Sequence, residues 1–578
     1  MKFSNQLFFI FFFIMILGGS ISCHRSPVSK SNKVLHLALT SEVSTLDPAL
    51  SYDNVSGAII YNVYEQLYEY QYLNRPYELI PLLAEGQPRV EDGGKKYIIK
   101  IKKNIFYHAH PKLKPDRTVE AQDFINAIKR LCFKPINSSG WWLVDNVIKG
   151  TNEFREKAGD KLENITKFEI SGLKALDSHT LSIELVNPSP QFLYRLSLSF
   201  VVPTPYEVLG TDLEKDLQHE FGTGPFYLEK LTKEKITLQK FKLYRDSFYP
   251  SVGDRIANNR GFLKDAGEKI PFIETIQYYV IKNNQERFEK FIKEEIDILP
   301  LTQDLYQDAF NELGNIKDFL RSKNIRLQAS PTLTYWWLAF NMQDPIVGKN
   351  VHLRMAIAHA INFNEYIQKF TKSTGQVANS ILPPGIFGYN PSSQLPFSYH
   401  PEKAKSFLKM AGYPEGKGLP TITFDTRSAT ELSYKQALFF QSELKKIGIK
   451  LEIRRNNFNV FLEKGKKGEL QFFQDGWTLD FPDAENALLL LQSNNFPPGP
   501  NASFYSNPKF DQLYKKIQQI KDGDEKKKYL KEVEAIFNQD FPWIMQYYSR
   551  NFVLYHERVK NFRPSDLIWS YPKYIHLK

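Results

Sequence analysis

Strand-like and helical segments follow one another along most of this chain, and their order constrains the fold more than any other feature. In one region a strand at 421–426 is followed by a helix at 437–447, Gly448 and a strand at 449–453. A strand, a helix and a second strand in direct succession predict a βαβ unit. We therefore expect an α/β protein.

The same pattern extends over nearly all of the 578 residues, which is more chain than one domain usually needs. Helices are predicted at 351–370 and at 401–412, where Pro401 suits the first helical position and Gly412 the C-terminal end. Further strands are predicted at 34–40, 96–102, 179–186, 236–241, 275–281 and 470–474. We expect more than one α/β lobe.

Composition excludes several classes of protein. Hydrophobic residues make up 42% of the chain and charged residues 24%, which excludes a disordered chain, a collagen and a polytopic membrane protein. The net charge of +11 is small for this length, and no long block of Lys and Arg concentrates it. We therefore expect an evenly charged surface and no nucleic-acid partner. Two cysteines cannot form a disulfide framework, and Cys132 is predicted to be a core residue.

The N-terminal segment has the features of an export signal. Lys2 precedes an unbroken apolar run of eleven residues, Leu7 to Leu17, which is shorter than the roughly 20 residues of a membrane-spanning helix. Small residues then lead to Cys23, an arrangement that resembles a bacterial lipoprotein signal. The resemblance implies a signal peptide at 1–22, lipidation of Cys23 and a polar tether at 23–32. Cleavage by ordinary signal peptidase is the alternative.

Motifs of the common enzyme classes are absent from the sequence. The chain has no P-loop, no GxGxxG after a strand, no GxSxG elbow and no HExxH. His108 and His110 form an HxH, which we interpret as part of a solvated loop because no other Cys or His lies near it. Asp480 and Asp483 could form a carboxylate pair for glycoside hydrolysis, but sequence spacing cannot give the separation of their side chains. We predict neither catalysis nor a cofactor or metal.

A series of sequence landmarks spans nearly the whole chain after the N-terminal segment. Each is weak alone, but their order and spacing form one pattern. They are STLDP (44–48), EDGGKKYIIKIKKNIFYH (91–108), TVEAQDFINAIKRL (118–131), KALDSHTLSIELVNPSPQFLYRL (174–196), GTGPFYL (222–228), EEIDILP (294–300), HLRMAIAHAIN (352–362), HPEKAKSFLKMAGYPEG (400–416), ELKKIGIKLEI (443–453) and GWTLDFPDAEN (476–486). Together they resemble the family-5 extracellular solute-binding proteins, the receptors of oligopeptide and dipeptide ABC importers. The tail FPWIMQYYSRNFVLYHERVKNF resembles the oligopeptide-binding branch.

The resemblance implies a periplasmic-binding-protein-like α/β fold of type II, cluster C. Two main lobes and an extra inserted lobe would close around the ligand by hinge motion. The chain would cross between lobes I and III near residues 330 and 542. The implied boundaries are 33–64, 190–330 and 543–578 for lobe I, 65–189 for lobe II, and 331–542 for lobe III.

A cleft that accepts many peptides must bind what all peptides share, which is the extended backbone. Residues 470–478 are predicted to form a strand, and Gly476 permits close approach of another backbone. The resemblance implies that the backbones of Gly476 and Thr478, and of Asn54 on the opposite lobe, bind the peptide. It also implies that aromatic side chains wall the cleft, namely Trp477, Phe458, Tyr335 and Trp336. Aromatic residues in α/β proteins are more often core residues.

Asp480 in GWTLDFP matches, by the same resemblance, the carboxylate that binds the free α-ammonium group of the peptide. The alternative is a helix N-cap, for which Asp483 is the better candidate because it directly precedes the apolar run. The sequence also departs from its relatives. Thr334 and Thr478 stand where some carry a cysteine pair, and Gln474 where some carry an arginine for the C-terminus of a short peptide.

The sequence therefore predicts a monomeric, lipid-anchored receptor in the periplasm or at the cell surface. It would capture oligopeptides and deliver them to an inner-membrane ABC permease. One alternative is a different solute, such as a dipeptide, a murein peptide, a nickel complex, haem or a sugar. A secreted chaperone that binds unfolded segments, and a hydrolase, are the alternatives from other classes.

Overall fold

The structure is a computed structural model, which describes residues 33–51, 53–209, 220–311, 315–371, 374–497 and 499–578. The predicted signal peptide, Cys23 and the tether lie outside the described residues. Within the described ranges, no helix has both the length and the apolar character needed to cross a membrane.

The strands of the described residues coincide with each of the eight predicted strands and add others between them. Their bounds are β1 (Val34–Leu39), β2 (Tyr68–Tyr70), β3 (Leu79–Pro81), β4 (Arg89–Glu91), β5 (Lys96–Lys100), β6 (Leu173–Asp177), β7 (Thr180–Glu184), β8 (Phe226–Leu231), β9 (Lys235–Lys240), β10 (Thr275–Val280), β11 (Ile298–Pro300), β12 (Ile325–Phe340), β13 (Gln376–Val377), β14 (Ile422–Thr426), β15 (Leu451–Arg455), β16 (Phe472–Thr478), β17 (Trp543–His556), β18 (Val559–Lys560) and β19 (His576–Leu577).

The α-helices of the described residues lie between these strands. Their bounds are α1 (Asn54–Val63), α2 (Ala121–Cys132), α3 (Thr151–Ala158), α4 (Asn164–Lys167), α5 (Phe192–Arg195), α6 (Arg255–Asn259), α7 (Asn284–Ile292), α8 (Tyr306–Ala309), α9 (Asp318–Ser322), α10 (Val351–Ala360), α11 (Phe363–Phe370), α12 (Pro401–Met410), α13 (Glu431–Lys445), α14 (Phe458–Lys467), α15 (Ala484–Leu488), α16 (Pro508–Gln519) and α17 (Asp524–Asp540).

Two four-stranded sheets lie in the first half of the chain. One has the order β1-β10-β9-β8, and its strand β1 runs parallel to β10 with Val34 opposite Thr275. The other has the order β4-β5-β7-β6 and packs against α2. Cys132 at the end of α2 is a buried free cysteine, so its prediction as a core residue is confirmed.

The largest sheet has the order β11-β17-β12-β16-β14-β15 and holds the predicted βαβ unit. Strands β14 and β15 are parallel, as predicted, and α13 connects them. The helix starts earlier than expected because the Thr430 side chain accepts a hydrogen bond from the Ser433 amide and caps its first turn. Gly448 lies just beyond the helix end with φ of 89°, a backbone conformation that glycine adopts without strain.

The predicted single helix at 351–370 is wrong, because the structure has two helices there. The first, α10, ends at Ala360, and the second, α11, begins at Phe363. Asn362 has extended backbone geometry, and its side chain accepts a hydrogen bond from the Glu365 amide. An asparagine that caps the next helix competes with continuation of the preceding one.

The interpretation of His108 and His110 as part of a solvated loop is also wrong. Both side chains are buried, and His108 contacts Glu220 Oε1 at 2.7 Å and the carbonyl of Gly224 at 2.9 Å. These partners lie more than 100 residues away in sequence, so local sequence could not reveal the burial. Within the described residues, no group of three or more Cys, His, Asp and Glu side chains has a metal-binding arrangement.

Candidate ligand-binding site

Strand β16 carries the segment that the sequence places in the cleft. It pairs antiparallel with β12 along its whole length, from Phe472 opposite Phe340 to Thr478 opposite Thr334. On its other side it pairs with β14 only at Phe472 and Phe473. Within the described residues, no strand covers that edge from residue 474 to residue 478. This stretch of β16 therefore has one satisfied and one open backbone edge.

Gly476 and Thr478 lie in this half-open stretch of β16. Residues two apart in a strand direct their backbone groups to the same edge, so these two backbones share one edge. The Gly476 amide donates a hydrogen bond of 2.8 Å to the Asp475 carboxylate. The Thr478 hydroxyl lies 2.9 Å from the Thr334 hydroxyl on β12.

The need for glycine at 476 has a cause that the sequence did not reveal. A Cβ atom at this position would lie 2.6 Å from Cε3 of Trp336, the residue opposite on β12. The indole ring of Trp336 therefore packs directly over the Gly476 backbone. Its Nε1 donates to Ser549 Oγ at 3.0 Å, and its ring stacks on Tyr547, which fixes the ring in place.

Asp480 and Trp477 are held together by one buried amide, that of Asn486. Asn486 Oδ1 accepts hydrogen bonds from Trp477 Nε1 and from the Asp480 amide, each at 3.1 Å. Its Nδ2 donates to Asp480 Oδ2 at 3.2 Å. Sequence reasoning did not single out Asn486, although it lies in the GWTLDFPDAEN segment. The two predicted site residues are thus oriented by a common partner.

Asp483 caps helix α15, as predicted, and its side chain accepts a hydrogen bond of 2.8 Å from the Glu485 amide. Asp480 is not the cap. Asp483 also accepts a hydrogen bond of 2.7 Å from Lys526 Nζ, and both side chains are almost fully buried. This ion pair fixes the turn that carries Asp480.

Arg427 is a candidate site residue that sequence reasoning missed. It follows the last residue of β14, and its Nε lies 3.1 Å from Asp475 Oδ1. Its guanidinium carbon lies 4.7 Å from the ring centre of Phe458 and 5.6 Å from that of Trp336. Burial raises the pKa of Asp475 to about 6, while the charge of Arg427 acts in the opposite direction. A half-buried cation therefore lies between two of the predicted aromatic residues.

The structure does not place Tyr335 on the surface of the site. Its side chain is fully buried, and its ring centre lies 5.2 Å from that of Trp337 at an angle of 34°. Its hydroxyl donates a hydrogen bond to the carbonyl of Ala487. Successive side chains of a strand point to opposite faces, so Trp336 lies on the face of Gly476. Tyr335 lies on the other face, opposite Trp477, and enters the core there. Phe458 is 44% exposed at the start of α14.

Asn54 lies on a different element from the other predicted residues. It is the exposed first residue of α1, whose N-cap is Asp53. Within the described residues, no hydrogen bond or ring contact joins Asn54 to Trp477 or Asp480. The structure thus places Gly476, Trp477, Thr478 and Trp336 on two paired strands, and Asp480 lies two residues beyond the end of β16. Arg427 joins Phe458 to Trp336.

A second part of the chain meets the residues that follow β16. Tyr194 stacks on Phe481 with ring centres 5.5 Å apart and an angle of 11°. Arg195 donates to the carbonyls of Trp142 and Leu143. Burial lowers the pKa of Arg195, while the nearby Glu485 and, more weakly, Asp480 act in the opposite direction. Asp480 therefore lies where two parts of the fold come together.

Comparison with known proteins identifies a family and several relatives of this chain. The model of "Bacterial extracellular solute-binding proteins, family 5 Middle" matches residues 78–499. The dipeptide-binding protein of Escherichia coli (strain K12) is 25% identical over 493 residues, which is 84% of each chain. The oligopeptide-binding protein OppA of Bacillus subtilis (strain 168) is 25% identical over 528 residues, 89% of this chain and 87% of that one.

A solved structure supports the fold independently. HbpA2 from Haemophilus parasuis has a TM-score of 0.77 to this chain at 22% identity, with 94% of this chain and 100% of that one covered. This likeness confirms the predicted periplasmic-binding-protein-like fold. Because the family model also matches most of the sequence, the chain belongs to the bacterial extracellular solute-binding proteins of family 5.

Proposed function

We propose that the protein captures oligopeptides outside the cytoplasm and delivers them to an inner-membrane ABC permease. The peptide would lie extended along β16, with its α-ammonium group at Asp480. The names of the two relatives, a dipeptide-binding and an oligopeptide-binding protein, support a peptide as the solute. The protein would act as a monomer, without a cofactor and without catalysis.

The open edge of β16 is the observation that carries this proposal. Between residues 474 and 478 the strand pairs with β12 on one side and lacks a strand partner on the other. An extended peptide can complete such an edge by main-chain hydrogen bonds, which give affinity without reading side chains. Trp477 and Phe458 would then wall the side-chain pockets, and Trp336 would support the strand from its face.

Asp480 suits the N-terminal ammonium group because of its charge and its orientation. Asn486 fixes its carboxylate beside the end of β16. Two opposite charges about 4 Å apart attract by roughly 4 kcal/mol at an effective dielectric constant near 20, before desolvation. That attraction is the same for every peptide with a free N-terminus, so it adds affinity without adding sequence preference.

Arg427 is the residue we propose for an anionic group of the ligand, such as the C-terminal carboxylate. Its guanidinium lies between Phe458 and Trp336, and Asp475 is its carboxylate neighbour. Below pH 6 Asp475 takes up a proton, because its pKa is raised to about 6. The charge of Arg427 is then less compensated, and an anionic ligand group gains attraction.

Titration calorimetry with one peptide, as the free acid and as the C-terminal amide, tests this site and the function together. We expect the free acid to bind more tightly than the amide, and the ratio to grow severalfold as the pH falls from neutral to 5.5, where a peptide carboxylate is still ionised. In Asp475→Asn the ratio should not change with pH. A constant ratio in the wild type would contradict the role of Arg427, and no heat with any peptide would contradict the function.

Lobe closure would bring Asn54 to the peptide from the opposite side. We propose lobe I at 33–64, 190–330 and 543–578, lobe II at 65–189 and lobe III at 331–542. Strands β12 and β17 pair with each other and would carry the two crossings. Their register is irregular between Pro331 and Tyr335, opposite Arg550 and Tyr548. This irregularity favours a hinge at the first crossing, near residue 330.

The proposed anchor is a lipid on Cys23, after removal of residues 1–22, with residues 23–32 as its tether. Cys23→Ser is therefore expected to move the protein from the membrane fraction to the soluble fraction, because the acyl chains supply most of the membrane affinity. Cell fractionation and immunoblotting measure this. Cys132→Ser is the matched control and should leave the distribution unchanged. Membrane retention of Cys23→Ser would count against lipidation.

A further inference from the structure

Two adjoining cavities are lined by residues between 260 and 326 and by residues between 555 and 578. They measure about 330 Å³ and about 310 Å³ and share Glu557, Lys560 and Lys578 in their linings. Seven basic side chains and three acidic side chains line the two cavities, a net side-chain charge of +4. We call the surface around these cavities the basic face.

The positive charges of the basic face are only partly neutralised. Among the described residues, four of its lysines form no ion pair within 4.0 Å, and three of them are exposed. These lysines are Lys264, Lys323, Lys560 and Lys578. Glu557 and Asp265 still act on Lys560 and Lys578 from a greater distance. Two of the three carboxylates have partners at short range. Glu557 pairs with Arg326, and Asp265 accepts hydrogen bonds from Asn561 and contacts His576 at 2.9 Å.

The chain leaves the described structure next to this face. The carbonyl of Val34 accepts a hydrogen bond of 3.3 Å from Arg558, which lines the second cavity. The Lys578 amide donates to the Arg558 carbonyl, and Lys560 pairs with His576 in the β18–β19 ribbon. Val34, Arg558, Lys578 and Lys560 are thus neighbours. Any segment that precedes residue 33 starts at the basic face.

The length of that preceding segment limits the distance to a membrane. Cys23 lies ten residues before Lys33, and ten residues span at most about 36 Å when fully extended. If the lipid is on Cys23, the basic face remains within this distance of the bilayer. Surface charges act over about 8 Å at physiological salt. A tether of this length therefore lets the face reach the distance at which headgroup charges attract it.

We propose that the basic face docks on anionic phospholipid headgroups of the membrane that holds the anchor. Negatively charged lipids attract clustered Lys and Arg side chains by about 1 kcal/mol each. A second, electrostatic contact would hold this end of the protein at the bilayer. This inference rests on the proposed anchor for its geometry, but the binding of headgroups can be measured without the lipid.

The test uses the full chain with Cys23→Ser and sedimentation with vesicles. One set of vesicles is phosphatidylcholine alone, and the other contains about 30% phosphatidylglycerol as the anionic lipid. We expect tighter binding to the anionic vesicles than to the neutral ones, and weaker binding to the anionic vesicles as salt increases. The triple variant Lys264→Gln, Lys560→Gln and Lys578→Gln should bind them about 100-fold more weakly, since each charge contributes about fivefold.

The control variant removes the same charge from exposed lysines outside the basic face, at Lys174, Lys409 and Lys435. It should bind anionic vesicles like the parent, and both variants should bind peptide normally by calorimetry. The residual apolar segment Leu7–Leu17 is common to all variants and cannot produce a difference between them. Loss of peptide binding in the parent would contradict the proposed function without bearing on the basic face.

Three results would overturn the proposal. The first is equal binding of the parent to neutral and anionic vesicles. The second is an equal loss of binding in the triple variant and in the control variant. The third is release from anionic vesicles by millimolar inorganic phosphate at constant ionic strength, which would identify a site for free phosphate instead of a surface for lipid.

Discussion

Asp480→Asn is expected to weaken the binding of a peptide with a free N-terminus by about a hundredfold to several thousandfold. In a closed cleft the ammonium group would be left buried without a counter-charge, which costs about 3–5 kcal/mol. The substitution keeps the size of the side chain and an oxygen that can accept the hydrogen bond from Asn486. Titration calorimetry measures the affinity, and thermal unfolding shows whether the fold is retained.

Asp524→Asn is the matched control for this substitution. Asp524 is an exposed carboxylate in the first turn of α17, so its replacement removes the same charge away from the site. The control should bind peptide like the wild type. An equal loss of affinity in both variants would show that the general electrostatic field of the protein, and not a contact with Asp480, attracts the peptide.

Lys526→Met is expected to lower the free energy of unfolding by about 3–5 kcal/mol, because it removes one member of a buried ion pair. Lys526 Nζ donates to Asp483 at 2.7 Å and to Asp522 at 2.9 Å. Burial lowers the pKa of Lys526, but the two carboxylates outweigh it and the pKa is raised. Without the lysine, the buried Asp483 carboxylate has lost its counter-charge. Thermal and denaturant-induced unfolding measure the loss.

The neighbouring residue offers a control, because Lys527 is exposed and its carboxylate neighbour Asp524 is 3.7 Å away. Lys527→Met should change stability little. Adding Asp483→Asn to Lys526→Met should recover part of the loss, since asparagine still caps α15 and leaves no buried charge. The double variant could instead lose as much free energy of unfolding, relative to the wild type, as the two single variants lose together. The pair would then not act as a unit.

The parts of the fold that depend on local sequence were predictable. A strand, a helix and a strand in succession indicated the βαβ unit of β14, α13 and β15, and the structure has it. The helix break at Ile361 and Asn362 was missed because the residues on both sides favour helix equally. The burial of His108 was missed because its partner, Glu220, is brought to it only by tertiary packing.

In the candidate site, too, local sequence predicted some features, while others depend on contacts between distant segments. Within GWTLDFPDAEN, residue type and position predicted the Asp483 cap, and the structure confirms it. The roles of Trp477 and Asp480 came from the resemblance to the family and stay predictions. Three aromatic residues in a row on β12 gave no periodicity from which to choose a face, so Tyr335 could not be distinguished from Trp336. Arg427 and Asn486 act on the site only through contacts with other segments of the chain.

Calorimetry on four combinations of protein and peptide tests the central claim, that Asp480 binds the N-terminal ammonium of a captured peptide. The proteins are the wild type and Asp480→Asn, and the peptides are one sequence with a free and with an acetylated N-terminus. Acetylation should weaken binding to the wild type about as much as the substitution does, and should add little in the variant. If the two losses instead add independently, Asp480 does not contact the peptide N-terminus and the account of the site is wrong.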